Sequence, residues 1–396
     1  MFRIALGEIH LKKIVLSEVN IPDLGRPTIE PKIPAKEYEK RILLLRGAMR
    51  KKELDAVVVY GDREHCANIA FLCGYDPRFE EALLVICKDR LPALMVGNEG
   101  LGYAEAVVPI RVETFLVQCF SLMGQPRDKM KELSTFLREV GIKRGMRIGV
   151  AGWKYFTEED FRNPTEALEI PSYMAESLRR VVGPVGFVRN ANDLLTDPNV
   201  GLRSINSVDQ IASFEFAATI CSQSIHEMIA GLREGMTEFE AVELMKLNGM
   251  PLSCHLMLSS GKRARFGLCS PSSKVIKRGE PLTAAIGLRG SLACRAAYVV
   301  DREEELKKIQ PNYLSEICIP YFGLIVKWYE SIGIEVSSGQ VYKTVQDYLR
   351  SVGMKLMLNP GHLIHLDEWL HSPFYEGSIC KLKSGMVIQA DMILTV

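Results

Sequence analysis

Residues 235–245 read GMTEFEAVELM. Thr237 followed three residues later by Glu240 is a capping box, in which hydroxyl and carboxylate each satisfy a backbone N–H at a helix start. The spacing predicts a short helix through Leu247, with Gly235 as the breaker that separates it from the helix before. That earlier helix opens at a second box, Ser207-Val-Asp-Gln210, and covers about 208–233. Farther along, the order recurs. PNYLSEICIPYFGLIVKWYESIG (311–333) reads as a long helix, and IGIEVSSGQVYKTVQDYL (332–349) as a glycine-punctuated short helix in the same relative place. Strand-like segments follow each: SCHLMLSS, PLTAAIGL and LACRAAYVV, then HLIHL and MVIQADMIL. Long helix, glycine turn, short helix and strands, twice over, predict a pseudo-twofold domain with a cleft between its halves.

Toward the N-terminus the pattern changes to alternation. AKEYEKRILLLRGAMRKKE (35–53) is an amphipathic helix, DAVVVYG (55–61) and EALLVIC (81–87) are buried strands, and LPALMVG (91–97) is the hairpin partner of the second. PRDKMKELSTFLREVG (126–141) reads as a helix and MRIGVAG (146–152) as a strand, which makes an α/β domain over 36 to about 185. The loop-rich GFVRNANDLLTDPNVGLRSIN (186–206) is a link. Residues 1–35, ending in a proline-rich run, read as an extended arm. The expected division is an arm at 1–35, an α/β domain and linker at 36–200, and an α+β pseudo-twofold domain at 201–396.

Bulk properties exclude several function classes. The 396 residues are 47% hydrophobic and 24% charged, as in an ordinary globular protein, with net charge +1 and no block of like charges. Nothing therefore favours a nucleic-acid or membrane-surface partner. There is no run of eighteen apolar residues to span a bilayer. The N-terminal MFRIALGEIHLKKIVL is broken by His10, Lys12 and Lys13 and is not read as a signal peptide. Ten cysteines without a CxxC pair fit a reducing compartment, so a cytoplasmic protein is expected, and zinc-ribbon spacing is absent.

NPGHLIHLDEW (359–369) carries the chemistry: a Pro-Gly turn, two histidines three apart, then Asp and Glu, the start of a metal site. With GDREHCANIAFLCGYDPRFEEALLVI (61–86), LREGMTEFEA (232–241) and SGMVIQADMI (384–393), the layout resembles the pita-bread superfamily of methionine aminopeptidase, aminopeptidase P (Xaa-Pro peptidases) and creatinase. The resemblance implies an α/β creatinase-like N-terminal domain followed by an α+β pita-bread domain. It also implies two metal ions held by two Asp, one His and two Glu, which polarise a carbonyl and generate hydroxide. Carried across residue by residue, the first Asp falls on Ala285, the second on Ala296, the His on His362 and the first Glu on Asp391. The last Glu would lie on a strand beyond residue 396. The histidine that works without metal in creatinase falls near Leu268. His362 with Asp391 is too small a ligand set, so the expectation is no metal and no cofactor.

His362, His365 and Asp391 are the candidate catalytic residues, as acid/base groups in the cleft. Arg295 and Arg289 flank the positions vacated by Asp and are candidates for holding substrate, a carboxylate above all. A surface ion pair for Arg289 and an inter-strand pair for Arg295 are the alternatives. Gln389, alternating with Asp391, and Tyr298, sharing parity with Cys294 and Ala296, are further substrate-binding candidates. His371 is assigned to structure or the cleft rim, and Asp367 and Glu368 to orienting the loop. Cys269 beside His255 reads as an inert core thiol rather than a nucleophile. Three functions follow from the resemblance. The first is a metal-independent hydrolase of a small amide-, amidine- or peptide-like substrate. The second is a non-catalytic pseudoenzyme that binds a small molecule or protein partner, and the third a metallopeptidase with unusual ligands. A homodimer is expected.

Overall fold

The computed structural model describes Ile14, Val15, Ser17, Asn20 and residues 25–395. Most of the arm expected at 1–35, and nearly all of the segment read as lacking a signal peptide, lie outside the described residues. Helix α1 (Ala35–Lys51) buries Ile42, Leu45 and Met49, one stripe at helical spacing. It leads into β1 (Ala56–Gly61), α2 (Ala67–Cys73), β2 (Ala82–Cys87), β3 (Ala93–Val96), α3 (Gly100–Val107), β4 (Glu113–Leu116), α4 (Leu133–Glu139) and β5 (Arg147–Ala151). α5 (Ser172–Val182), β6 (Phe187–Asn190) and α6 (Asp193–Thr196) complete this part, so the expected link at 186–206 itself contains a strand and a helical turn.

The sheet runs β4-β3-β2-β1-β5-β6. β1, β2 and β3 form an antiparallel meander, and β4, β5 and β6 join in parallel. Every residue of β1 and β2 is buried, because α4 and α5 cover one face and α1 and α2 the other. That double cover is why these strands are continuous apolar runs rather than alternating ones. The helix expected over 126–141 is confined to α4. Upstream, the Gln118 side chain accepts from Lys129 N (2.7 Å) and donates to Asp128 Oδ1 (3.2 Å), holding that stretch out of the helix.

The second part opens with α7 (Val208–Gly231), capped by the Ser207 hydroxyl. Its box is not reciprocal, since the Gln210 side chain accepts from Arg41 of α1 at 3.0 Å instead. α8 (Glu238–Glu243) ends earlier than expected but carries both arms of its capping box. β7 (Met257–Ser260), β8 (Pro281–Leu288) and β9 (Ser291–Tyr298) form an antiparallel meander backed by α7. After α9 (Glu303–Ile309), a π-helical turn over Tyr313–Cys318 runs into α10 (Ile319–Ser331), followed by α11 (Ser338–Val352). Pro320 has no N–H to give the preceding turn, which accounts for the wide turn there. β10 (Lys355–Leu356) pairs with β13 (Leu394–Thr395), and β11 (His362–Leu363) with β12 (Ile388–Gln389), all shorter than the sequence pattern predicts.

The pseudo-twofold repeat extends to individual hydrogen bonds. Gly235 N to Ile276 O (3.0 Å), Ile276 N to Met236 O (2.8 Å) and Glu238 N to Lys274 O (2.9 Å) recur in the other half. There they are Glu335 N to Leu382 O (2.8 Å), Leu382 N to Val336 O (2.9 Å) and Ser338 N to Cys380 O (2.8 Å). Gly279 and Gly385 are matching left-handed turns (φ +84° and +87°). Six residues past each stand Ala285 and Asp391, so the repeat itself makes Ala285 the counterpart of Asp391. Among the described residues no helix is long and apolar enough to cross a membrane.

Candidate functional site

Gly361 sets the site. At φ +100° it turns the chain into β11, and a Cβ there would lie 2.7 Å from Gln389 O, so only glycine allows β11 this close to β12. The turn seats His362 opposite Gln389 in register. The imidazole is completely buried, and Trp369 stacks on it with centroids 4.2 Å apart. Nδ1 lies 3.1 Å from Leu363 O. A carbonyl only accepts, so Nδ1 carries a proton. Nε2 makes no hydrogen bond, yet stands 3.2 Å from Glu368 Oε1 and 3.8 Å from Asp391 Oδ2. One donor atom from each of the three residues lies within 4.8 Å of the others.

The two carboxylates are about a fifth exposed, whereas the imidazole is fully covered. Burial pushes the Asp391 carboxyl above its ordinary range. His362 pulls it back and the negative charge of Glu368 adds to the rise. β9 runs beside the carboxylates, with Cys294, Arg295, Ala296 and Ala297 open to solvent. Although accessible, the Cys294 thiol is crowded by protein. That crowding, with Asp391, Cys254 and Glu368 nearby, pushes it up to about 12. Cys254 is pushed to about 11 by burial and then by Glu368. Both thiols are protonated at neutral pH and are not ready nucleophiles.

The structure brings together His362 and Asp391 from the sequence reading and adds Glu368, which that reading assigned to loop orientation. His365 is a correction, because it stands apart from them. Its ring is buried edge-on between Phe71 and Phe214, and Nδ1 accepts from Arg203 Nε (3.3 Å) and Nη2 (3.2 Å). Burial, then Arg203 and Arg41, keep this histidine neutral with a pKa well below 6.5. Arg203 also donates to Asn68 Oδ1 (2.8 Å) and pairs with Asp367, making a buried polar tie between the two parts of the chain.

Arg289 is another such tie. It donates from Nη2 to Asp76 (3.1 Å) and lines a cavity of about 340 Å³ shared with Arg63, Cys66, Cys254 and Asp367. The surface-pair alternative for Arg289 is therefore replaced by a pair that bridges domains. Arg295 is exposed at the cleft and spends one nitrogen on Cys294 O (2.6 Å). Gln389 donates to Leu292 O (3.2 Å) rather than projecting freely beside Asp391, and Tyr298 packs edge-on against Tyr313. His371 lies 3.0 Å from the Tyr155 hydroxyl at the boundary of the two parts. Leu268, where the creatinase histidine would fall, is about three-quarters exposed. The two-ion ligand set does not fit this chain, since Ala285 and Ala296 have no lone pair to offer.

No family model matches the chain, and no curated protein matches it in sequence. Solved structures do. A prolidase from Pyrococcus horikoshii OT3 superposes with a TM-score of 0.66 at 19% identity, covering 88% of this chain and 89% of its own. An Xaa-Pro dipeptidase from Bacillus anthracis gives 0.65 at 16% identity, with 90% of each chain covered. An X-Pro aminopeptidase from Thermotoga maritima MSB8 gives 0.59 at 15%, covering 86% and 88%. The chain has the pita-bread fold of these proteins over nearly its whole length.

Proposed function

We propose that this chain is a peptidase-like hydrolase of small amides or short peptides, with His362, Glu368 and Asp391 as its reaction centre. One observation carries the reading: an imidazole and two carboxylates converge, with one donor atom from each within 4.8 Å of the others. The likeness to proteins named prolidase and Xaa-Pro dipeptidase supports a dipeptide-sized substrate. Asp391, its carboxyl pushed up by burial, is suited to donate a proton to the leaving nitrogen, and Glu368 to take one from the attacking water. His362, with no exposed surface, stands behind the two carboxylates at 3.2 and 3.8 Å rather than touching substrate.

Two carboxylates facing the cleft favour a substrate with a free amino end. With Arg289 committed to Asp76, Arg295 is the cation left to meet a carboxylate end. Ten free cysteines support a reducing, cytoplasmic setting, and a homodimer belongs to the same reading; light scattering on the purified protein checks the latter.

The test is a panel of dipeptides and amino-acid amides, Xaa-Pro included, assayed with and without added divalent ions. Turnover is expected, with Glu368→Gln and Asp391→Asn each lowering kcat at least about a hundredfold and Arg295→Ala acting on KM. Thermal shifts with these ligands but no turnover would make the protein a non-catalytic binder. Neither shift nor turnover would overturn the assignment to this cleft.

A further inference from the structure

We infer that a second binding site lies away from the reaction centre, in the cavity between α1, residues 199–206 and the start of α7, and that it takes an N-acylated apolar amino acid. The cavity has a volume of about 320 Å³, and none of His362, Glu368 and Asp391 lines it. Its charged lining is Glu37, Lys40 and Arg41, one carboxylate against two cations. Glu37 stands 3.6 Å from Arg41 Nε and 3.7 Å from Lys40 Nζ, ion-pair distances too long for hydrogen bonds. Arg41 is only 3% exposed, with its guanidinium over the rings of Phe71 (4.3 Å) and Tyr38 (5.0 Å). Nη1 donates to Phe71 O (2.8 Å) and Nη2 to Gln210 Oε1 (3.0 Å), while Nε is buried with no hydrogen-bond partner. A buried cation is costly unless an anion meets it with hydrogen bonds. Two cations sharing one distant carboxylate leave room for a second, and a ligand carboxylate at Arg41 and Lys40 would balance the charge.

Asn206 is an independent sign from another wall of the same cavity. Its Nδ2 donates to Gly385 O (3.1 Å), which fixes the amide and leaves Oδ1 buried with no donor. A ligand N–H is the group that would satisfy it. The remaining lining is apolar. Leu44, Val200 and Ile205 are exposed around the opening, and Phe71 and Leu202 lie behind them. Such side chains gain by covering an aliphatic or aromatic group. A carboxylate, an amide N–H and one apolar side chain together make an N-acylated apolar amino acid. Bound here, it would touch α1, the connecting chain and α7 at once. Cavities at the junction of two domains commonly take small ligands, and a ligand that binds only the folded chain stabilises it.

The test uses the full chain and N-acetyl-leucine, followed by calorimetric titration and melting temperature. Binding should raise the melting temperature and slow cleavage by elastase after the exposed Val200. N-acetyl-leucinamide keeps the shape and the N–H but lacks the charge, and should bind about tenfold more weakly or worse. Arg41 also holds Gln210, so the informative variants sit at the exposed rim. Lys40→Glu and Ile205→Glu, checked for folding by circular dichroism, should each weaken binding of N-acetyl-leucine about tenfold or more. Binding should survive Arg295→Ala and Glu368→Gln. No binding at millimolar N-acetyl-leucine would overturn the site, as would equal binding of acid and amide. Binding lost in Arg295→Ala but kept in Lys40→Glu would also overturn it, by moving the ligand into the reaction cleft. The site shares no residue with the proposed hydrolase centre, so absence of turnover removes the hydrolase and leaves the cavity as it is.

Discussion

His365 makes stability depend on pH. Native His365 is held neutral by burial and by Arg203 and Arg41, with Asn68, Asp367, Phe71 and Phe214 completing its surroundings. In the unfolded chain a histidine titrates near 6.5. Below that pH the unfolded state binds a proton the native state refuses. The contribution is therefore complete above about 6.5 and declines as pH falls toward the folded value, by about 1.4 kcal/mol per pH unit. His371, also lowered by burial, acts in the same direction. Denaturant midpoints should fall between pH 6.5 and 5, and His365→Gln, which can still accept from Arg203 but does not titrate, should flatten the slope. An unchanged slope would show that His365 is protonated in the native state. The misassignment of His365 has a simple cause. Side chains alternate along an extended chain, so residues three apart point to opposite sides, and the Ile364 N to Val387 O bond (3.1 Å) shows the ladder continuing past β11. His362 and Asp391 entered as the positions that the superfamily resemblance assigns, each after a glycine turn. Glu368 was not legible, because it sits on irregular chain where no periodicity fixes its direction.

At the scale of elements, the two halves solve one turn with different residues. Gly235 (φ +90°) and Glu335 (φ +69°) occupy the same place, two residues before the helix cap and bonded to equivalent carbonyls. Left-handed backbone costs a residue with a Cβ about 1–2 kcal/mol, and glycine returns about 0.4–1 kcal/mol of that through the unfolded chain. The Glu335–Lys381 pair (3.1 Å) is exposed and adds little. Glu335→Gly should thus stabilise by about 0.5 kcal/mol while Gly235→Ala destabilises by about 1 kcal/mol or more, both read from chemical unfolding. Opposite signs are the point; a loss in both would mean that the Glu335 side chain holds its turn. The capping box at Thr237 and both helix pairs could be read from sequence because their signals are local; the Ser207 box was not completed because Arg41, far along the chain, takes the Gln210 side chain. The strands around the site could not be delimited, because β10 to β13 owe their two-residue lengths to partners far along the chain.

Over the whole molecule, repetition was visible in sequence while the ties between domains were not. Arg203 with Asn68 and Arg289 with Asp76 join positions too far apart for any periodicity to report, and a buried arginine reads in sequence like an exposed one. The start of the chain adds a further join. Arg26 forks onto both oxygens of Glu227 in α7 (3.1 Å each) and donates to Met245 O (2.8 Å), and Ile14 packs against Gly323 of α10. The first sheet is thus spliced into the second domain, held covalently at one end and by the arm at the other. Cutting the backbone after Val200, an exposed position, would leave fragments that still grip each other through two separate surfaces. Such two-point attachment confers avidity beyond either contact alone. The cut protein should migrate as one particle on dilution, and Arg26→Ala should make the halves part at a higher protein concentration. The arm is in effect a built-in clasp, and the chain tolerates a break in its own continuity because of it.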